Sequence, residues 1–273
     1  MFPKSGGVYE FGKQAYGRFL SFMLGWVAWL VGNLTTVVLI VAAVEALLPG
    51  TEQGGIKIIF SILLILVLNL VAFFGIEASG YILVVFALII LGVAGSIIFR
   101  GFFFFEPQNF SPFVTRSPWL IIPAIFFLAE SFFGFESASY LSEETKNPKK
   151  TIPKAIILGT LIVAVMGVLM AIVTLGVMRW DALASSANSL EAIMLKLFGA
   201  TGSQIIRIGV HLTFIGAAAG AIITMPRLLL ALARDKLFIG QFKAVHPKFN
   251  SPHRAIIFQT IVLILMLIMG FGS

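Results

Sequence analysis

Seven mostly apolar stretches, each long enough to cross a bilayer, constrain this chain more than any other feature. They run Phe19–Leu48, Ile56–Ile76, Gly80–Phe99, Trp119–Leu141, Pro153–Val177, Ser203–Ala233 and Arg254–Gly272. About 20 apolar residues in a helix span the hydrocarbon core. Only α-helices and closed barrels satisfy their backbone groups in lipid. These runs are continuous and lack the alternation over roughly ten residues that marks a barrel strand. The sequence therefore predicts an all-α integral membrane protein, a polytopic bundle of about seven transmembrane helices. The first and sixth runs exceed a straight crossing, and tilt absorbs the excess. Composition removes the soluble alternative. The chain is 59% hydrophobic and 11% charged, with a mean hydropathy of +1.03, whereas soluble domains hold about 45–50% apolar and about 25% charged residues. With no long polar stretch, residues 1–273 read as a single membrane domain.

The net charge of +7 does not point to nucleic acid, because its distribution follows the loops. Alternate loops carry Lys4, Lys13, Arg18, Lys146, Lys149, Lys150, Lys154, Arg227, Arg234, Lys236, Lys243, Lys248 and Arg254, thirteen of the 19 Lys and Arg residues. The other side holds Lys57, Arg100, Arg116, Arg179, Lys196 and Arg207. Positive residues accumulate on the cytoplasmic side, so the N-terminus is expected in the cytoplasm, Ser273 outside, and the protein in the cell inner membrane. Two outer loops are expected to have some structure: a short helix at Ser189–Phe198, and an irregular Phe-rich stretch at Arg100–Pro118. Cys is absent, which excludes disulfides and thiolate metal sites. No cofactor or metal is expected. His246 and His253 lie in a basic loop, and His211 in the outer half of a helix reads as packed or water-facing.

No G-x-S-x-G, P-loop or H-E-x-x-H signature is present, so an enzyme is not expected. The informative stretch is Trp119–Pro153, WLIIPAIFFLAESFFGFESASYLSEETKNPKKTIP. Glu130 and Glu136 fall inside an otherwise apolar run. Carboxylates at membrane depth are costly and face a cavity or the bundle interior. Gly134 stands between them and tolerates backbone conformations closed to other residues. This predicts a helix broken near residues 132–136, with free backbone groups available to a polar ligand, as in secondary transporters. The alternative is a continuous helix whose two glutamates pair with neighbours.

Three motifs, in order, resemble the amino acid–polyamine–organocation permeases. Gly134-Phe135-Glu136-Ser137-Ala138-Ser139, then Glu143-Glu144-Thr145-Lys146-Asn147-Pro148-Lys149-Lys150 and Ile152-Pro153, is similar to the family's sixth helix and the loop after it. Phe2-Pro3-Lys4-Ser5-Gly6-Gly7-Val8-Tyr9 with Gly25-Trp26 resembles the junction of helices two and three. Arg227, Ala231-Leu232-Ala233-Arg234-Asp235, His246-Pro247-Lys248 and Pro252 resemble the segment after helix eight.

The resemblance implies a fold of about twelve helices on a five-plus-five inverted repeat, of which this chain corresponds to the end of helix two through helix nine. It implies secondary active transport of amino acids or polyamines by alternating access, as proton-coupled uptake or exchange. In the family, backbone amides of helix one hold the substrate carboxylate and carbonyls at the helix-six break hold its ammonium group. This chain corresponds to the second half alone, and by itself is expected not to transport. Carried over residue by residue, carbonyls near Glu130, Phe132 and Phe133 receive the ammonium, Gly134 permits the break, Ser137 follows it, and Glu136 is a proton-linked or gating carboxylate. Asn33 faces the substrate side chain or else links two helices. Ala218, between Gly216 and Gly220, lines the site or serves close helix packing. Phe132 or Phe133 replaces an aromatic lid. Gly80–Phe99 has no lysine, which puts a lysine-for-sodium mechanism in doubt. Two further classes compete: a non-transporting membrane fragment and a seven-helix receptor. The last run lacks the lysine of a retinal protein. The sequence leaves the oligomeric state, the coupling ion and the particular amino acid open.

Overall fold

The computed structural model describes residues 6–48, 54–112, 118–130, 132, 134–186 and 188–271. Its elements are α1 (Val8–Leu47), α2 (Gly54–Phe73), α3 (Ile76–Phe102), α4 (Ile121–Glu130), α5 (Pro148–Val177), α6 (Trp180–Ser185), α7 (Ser189–Arg234) and α8 (His253–Phe271). Short 3-10 turns cover Pro107–Phe110, Pro118–Leu120, Phe135–Glu144 and Gly240–Lys243. No strand occurs among the described residues. Among the described residues, six helices are long and apolar enough to cross a membrane: α1, α2, α3, α5, α7 and α8. The chain is thus an all-α, multi-pass membrane protein.

Three glycines redirect the chain. Gly17 (φ 80°) divides α1, and Gly199 (φ 67°) divides α7. The first break detaches Val8–Tyr16, which the charge pattern alone reads as loop. This segment is helical because its charges find partners, described below. The second break separates Ser189–Phe198 from the long run that follows. The third is Gly134 (φ 103°). The expected crossing Trp119–Leu141 is not one helix: α4 ends at Glu130 after ten residues. At 1.5 Å per residue that is about 15 Å, half of the ~30 Å hydrocarbon core.

The residues form two compact units. The first comprises Met1–Ala87, Gly134–Ile156 and His211–Ser273. Its core packs Val37 and Ile40 of α1, Ile65, Leu68 and Ala72 of α2, Ala218, Ala219, Ile222 and Ile223 of α7, and Ile256, Leu263 and Leu267 of α8. Ala218 and Ala219 are small, as residues at membrane-helix interfaces commonly are, since helices in lipid lack a hydrophobic drive to associate. Beside it, Trp29 stacks on Trp26 (5.3 Å between ring centres) and on Phe258 (5.6 Å). Gly32 makes room for Met225, since a β-carbon there would lie 2.6 Å from the Met225 methyl.

The turn between α2 and α3 is tied to the loop before α8. Ser251 Oγ donates to the Phe73 carbonyl at 2.7 Å. Gly75 (φ 91°) lies against the Phe249 carbonyl oxygen, which a β-carbon would strike. Gly75→Ala therefore combines left-handed strain with a clash against backbone, which cannot rotate away. An expected loss of about 2–3 kcal/mol should appear as a lower thermal midpoint of the purified protein in detergent.

The second unit comprises Leu88–Phe133 and Ile157–Val210. Ile97 and Ile98 of α3, Val173 and Val177 of α5, and Ile193 and Leu197 of α7 form its core. Polar side chains close the helix ends. Lys196 Nζ donates to the Val177 carbonyl (2.6 Å), Arg100 Nε to that of Leu197 (3.2 Å), and Asn109 Nδ2 to that of Gly176 (2.7 Å).

Candidate functional site

The interruption after α4 is built by its own side chains. Gly134 adopts φ 103°, ψ −13°, a conformation that costs a residue with a β-carbon. Its N–H donates to Glu136 Oε2 at 3.0 Å. The backbone then continues as 3-10 helix from Phe135 to Glu144. Serines explain that choice. Ser137 Oγ donates to the Gly134 carbonyl (2.5 Å), Ser139 Oγ to that of Glu136, and Ser142 Oγ to that of Ser139 (2.6 Å). Each reaches three residues back, and Ser137 N–H also bonds the Gly134 carbonyl at 3.0 Å. Such local bonds compete with α-helix and favour the tighter 3-10 repeat.

The segment after the break is anchored to α7 by ion pairs. Arg227 is fully buried and makes a two-point contact with Glu144, Nε to Oε1 at 2.8 Å and Nη2 to Oε2 at 3.1 Å. Its Nη1 also donates to the Ile223 carbonyl. Two turns on, Arg234 Nη1 meets Glu143 Oε2 at 2.5 Å. Asp235 accepts from Tyr9 Oη at 2.6 Å and from Lys13 Nζ, while Arg18 Nη2 reaches the Asp235 carbonyl at 2.9 Å. The start of α1, the end of α7 and the loop before α5 thus share one charged cluster. A pocket of about 210 Å³ opens there, with Tyr9, Lys13, Glu143, Arg234 and Asp235 in its lining. The charges lining it are already matched, so it offers a substrate no unmet partner.

The sequence motifs contained these charges, but their pairing was not read from them. One signal was available: Arg227 interrupts the apolar run Ser203–Ala233, and a cation at that depth calls for a partner.

The residues singled out in the sequence are distributed as follows. Asn33 is buried on α1, and its Nδ2 donates to the Trp29 carbonyl of the same helix at 2.7 Å. Ala218 is fully buried in the apolar core of the first unit. Gly134, Glu136 and Ser137 are joined by the bonds above, with Glu136 half-buried. Glu130 ends α4. Phe132 is exposed, and its N–H bonds the Ala129 carbonyl at 3.1 Å. Phe133 and the side chain of Glu130 lie outside the described residues. No cluster of three or more His, Asp or Glu side chains able to hold a metal occurs among the described residues. His211 is buried.

Comparison with known proteins gives this architecture a family. The amino acid permease family matches residues 1–273. The chain is similar to the serine/threonine exchanger SteT of Bacillus subtilis, 29% identical over 97% of this chain and 62% of that protein. It is similar to the methylthioribose transporter of the same organism, 27% identical over 92% of this chain and 58% of that protein. It is also similar to the branched-chain amino acid permease BcaP of that organism, 24% identical over 93% of this chain and 58% of that protein. The chain therefore spans about three fifths of the length of these relatives. A multi-pass helical architecture, a serine-rich interrupted segment and a match along the whole chain agree with the resemblance seen in the motifs, and this chain belongs to the amino acid permease family.

Proposed function

We propose that this chain supplies part of a secondary active transporter for amino acids, with the backbone around Gly134 receiving the substrate ammonium group. The interruption at Gly134 carries the reading. A left-handed residue between α4 and a 3-10 segment leaves carbonyls outside the regular i to i−4 ladder. Those carbonyls are acceptors without charge, suited to an ammonium that must leave water and be released again. Interrupted helices hold substrate and ions in this way in secondary transporters. Glu130, Phe132 and Phe133 supply the carbonyls before the glycine, and Ser137 follows it. The family and the names of its similar members support amino acids as the cargo. Methylthioribose, carried by one relative, has no ammonium group. It should not compete for uptake by the native gene product that bears this sequence, whereas unlabelled amino acids should.

Glu136 has two readings. In the first it is proton-linked, as the motif implies. In the second it is a cap, because its carboxylate accepts the Gly134 N–H. Glu136→Gln separates them, since glutamine keeps an acceptor oxygen and loses the proton site. The expected result is uptake with a flattened pH dependence. An unchanged pH profile at normal uptake would leave only the cap.

The charge distribution supports a cytoplasmic N-terminus in the inner membrane. With Lys149→Cys, an impermeant thiol reagent added outside intact cells should give no labelling. Labelling from outside would reverse the orientation.

A further inference from the structure

Four lysines lie within nine residues, Lys146 just before α5 and Lys149, Lys150 and Lys154 in its first turns. All four are exposed. The 3-10 segment before them ends in two glutamates, and both are engaged elsewhere, Glu144 by Arg227 and Glu143 by Arg234. Among the described residues, no ion pair involves any of the four lysines. The charged cluster next to them is internally matched, and this stretch is left with unneutralised positive charge.

Its place on the helix narrows the partner. Lys150 and Lys154 lie one turn apart on α5, and Ile157, Leu158 and Leu161 follow at helical spacing on the same face. These three are among the exposed apolar side chains, at 65%, 56% and 58%. One helix face therefore passes from cationic to apolar within about two turns. A hollow of about 410 Å³ opens among Asn147, Pro148, Lys149 and Lys150. A free phosphate or nucleic acid would use the charge and leave the apolar face unmatched. A neutral lipid would do the reverse.

We propose that Lys146, Lys149, Lys150 and Lys154 form a docking surface for the phosphate headgroup of an anionic phospholipid, whose acyl chains lie along the apolar face of α5. Cationic residues at a membrane surface attract anionic lipid by about fivefold in affinity each, and the attraction is screened by salt.

Native mass spectrometry of the purified full chain in detergent tests this. Phosphatidylglycerol and phosphatidylcholine of identical acyl chains are added in equal amounts. The native chain should retain phosphatidylglycerol preferentially. The triple variant Lys149→Gln, Lys150→Gln, Lys154→Gln should lose that preference by about tenfold or more. Lys57→Gln should not change it, because Lys57 is held by Glu45 at 2.8 Å. Inorganic phosphate in the same excess should not displace the lipid. Equal retention of the two lipids, an unchanged preference in the triple variant, or displacement by inorganic phosphate would each overturn the proposal. If the triple variant does not fold, the native chain decides alone: its preference must fall as sodium chloride is raised, and a salt-insensitive preference rejects the lysine site.

Discussion

Glu144→Leu is expected to destabilise the chain by about 3–5 kcal/mol, the range for stranding a buried charge. Arg227→Met should cost clearly less. The asymmetry follows from exposure. Arg227 is 0% exposed and Glu144 is 19% exposed. Removing the glutamate leaves a guanidinium sealed in the protein with the Ile223 carbonyl as its remaining partner. Removing the arginine leaves a carboxylate that reaches solvent. The double variant Arg227→Met, Glu144→Leu should recover most of the loss, because replacing both members of a buried pair by apolar residues is often near neutral. Unfolding midpoints of the four proteins in detergent check the order. Equal effects of the two single changes, or a double variant no better than Glu144→Leu, would remove this pair as the anchor of the segment after the break.

Gly134→Val in the native gene product is expected to lower amino-acid uptake by about ten- to a hundredfold. A residue with a β-carbon held at φ 103° carries about 1–3 kcal/mol of strain, and each 1.4 kcal/mol is a factor of ten. The effect is a backbone one, because among the described residues no atom beyond its chain neighbours lies within 4 Å of where the β-carbon would stand. The chain relieves the strain by moving Gly134 out of the left-handed region, which rearranges the carbonyls proposed to hold the ammonium. Gly167→Ala serves as the control. Gly167 also has open space around it and no positive φ, so uptake should be unchanged. Comparable uptake by folded Gly134→Val protein would separate the break from the transport step.

The helical crossings were legible because membrane insertion writes itself as long apolar runs. The family was legible because its loop motifs are short, polar and ordered. Gly134 between Glu130 and Glu136 points to an interruption, but nothing in the apolar pattern points to the 3-10 form of the segment that follows. That form depends on Ser137, Ser139 and Ser142 each bonding three residues back, and apolar periodicity carries no record of such bonds. Val8–Tyr16 read as loop for a related reason. Its charges looked solvated, and their partner Asp235 lies more than two hundred residues away in sequence. The Arg227–Glu144 pair was hidden similarly, being 83 residues apart. Ala218 was read as either site lining or helix packing, and its position in the core displays the packing.

If the interrupted segment at Gly134 belongs to an amino-acid transport site, uptake must depend on it. The direct measurement is uptake of labelled amino acids into liposomes reconstituted with the native gene product that carries this sequence, alongside its Gly134→Val variant. The expected result is saturable uptake that unlabelled amino acid competes away, with a loss of at least about tenfold in the variant. No saturable uptake of any amino acid by correctly folded native protein would contradict it.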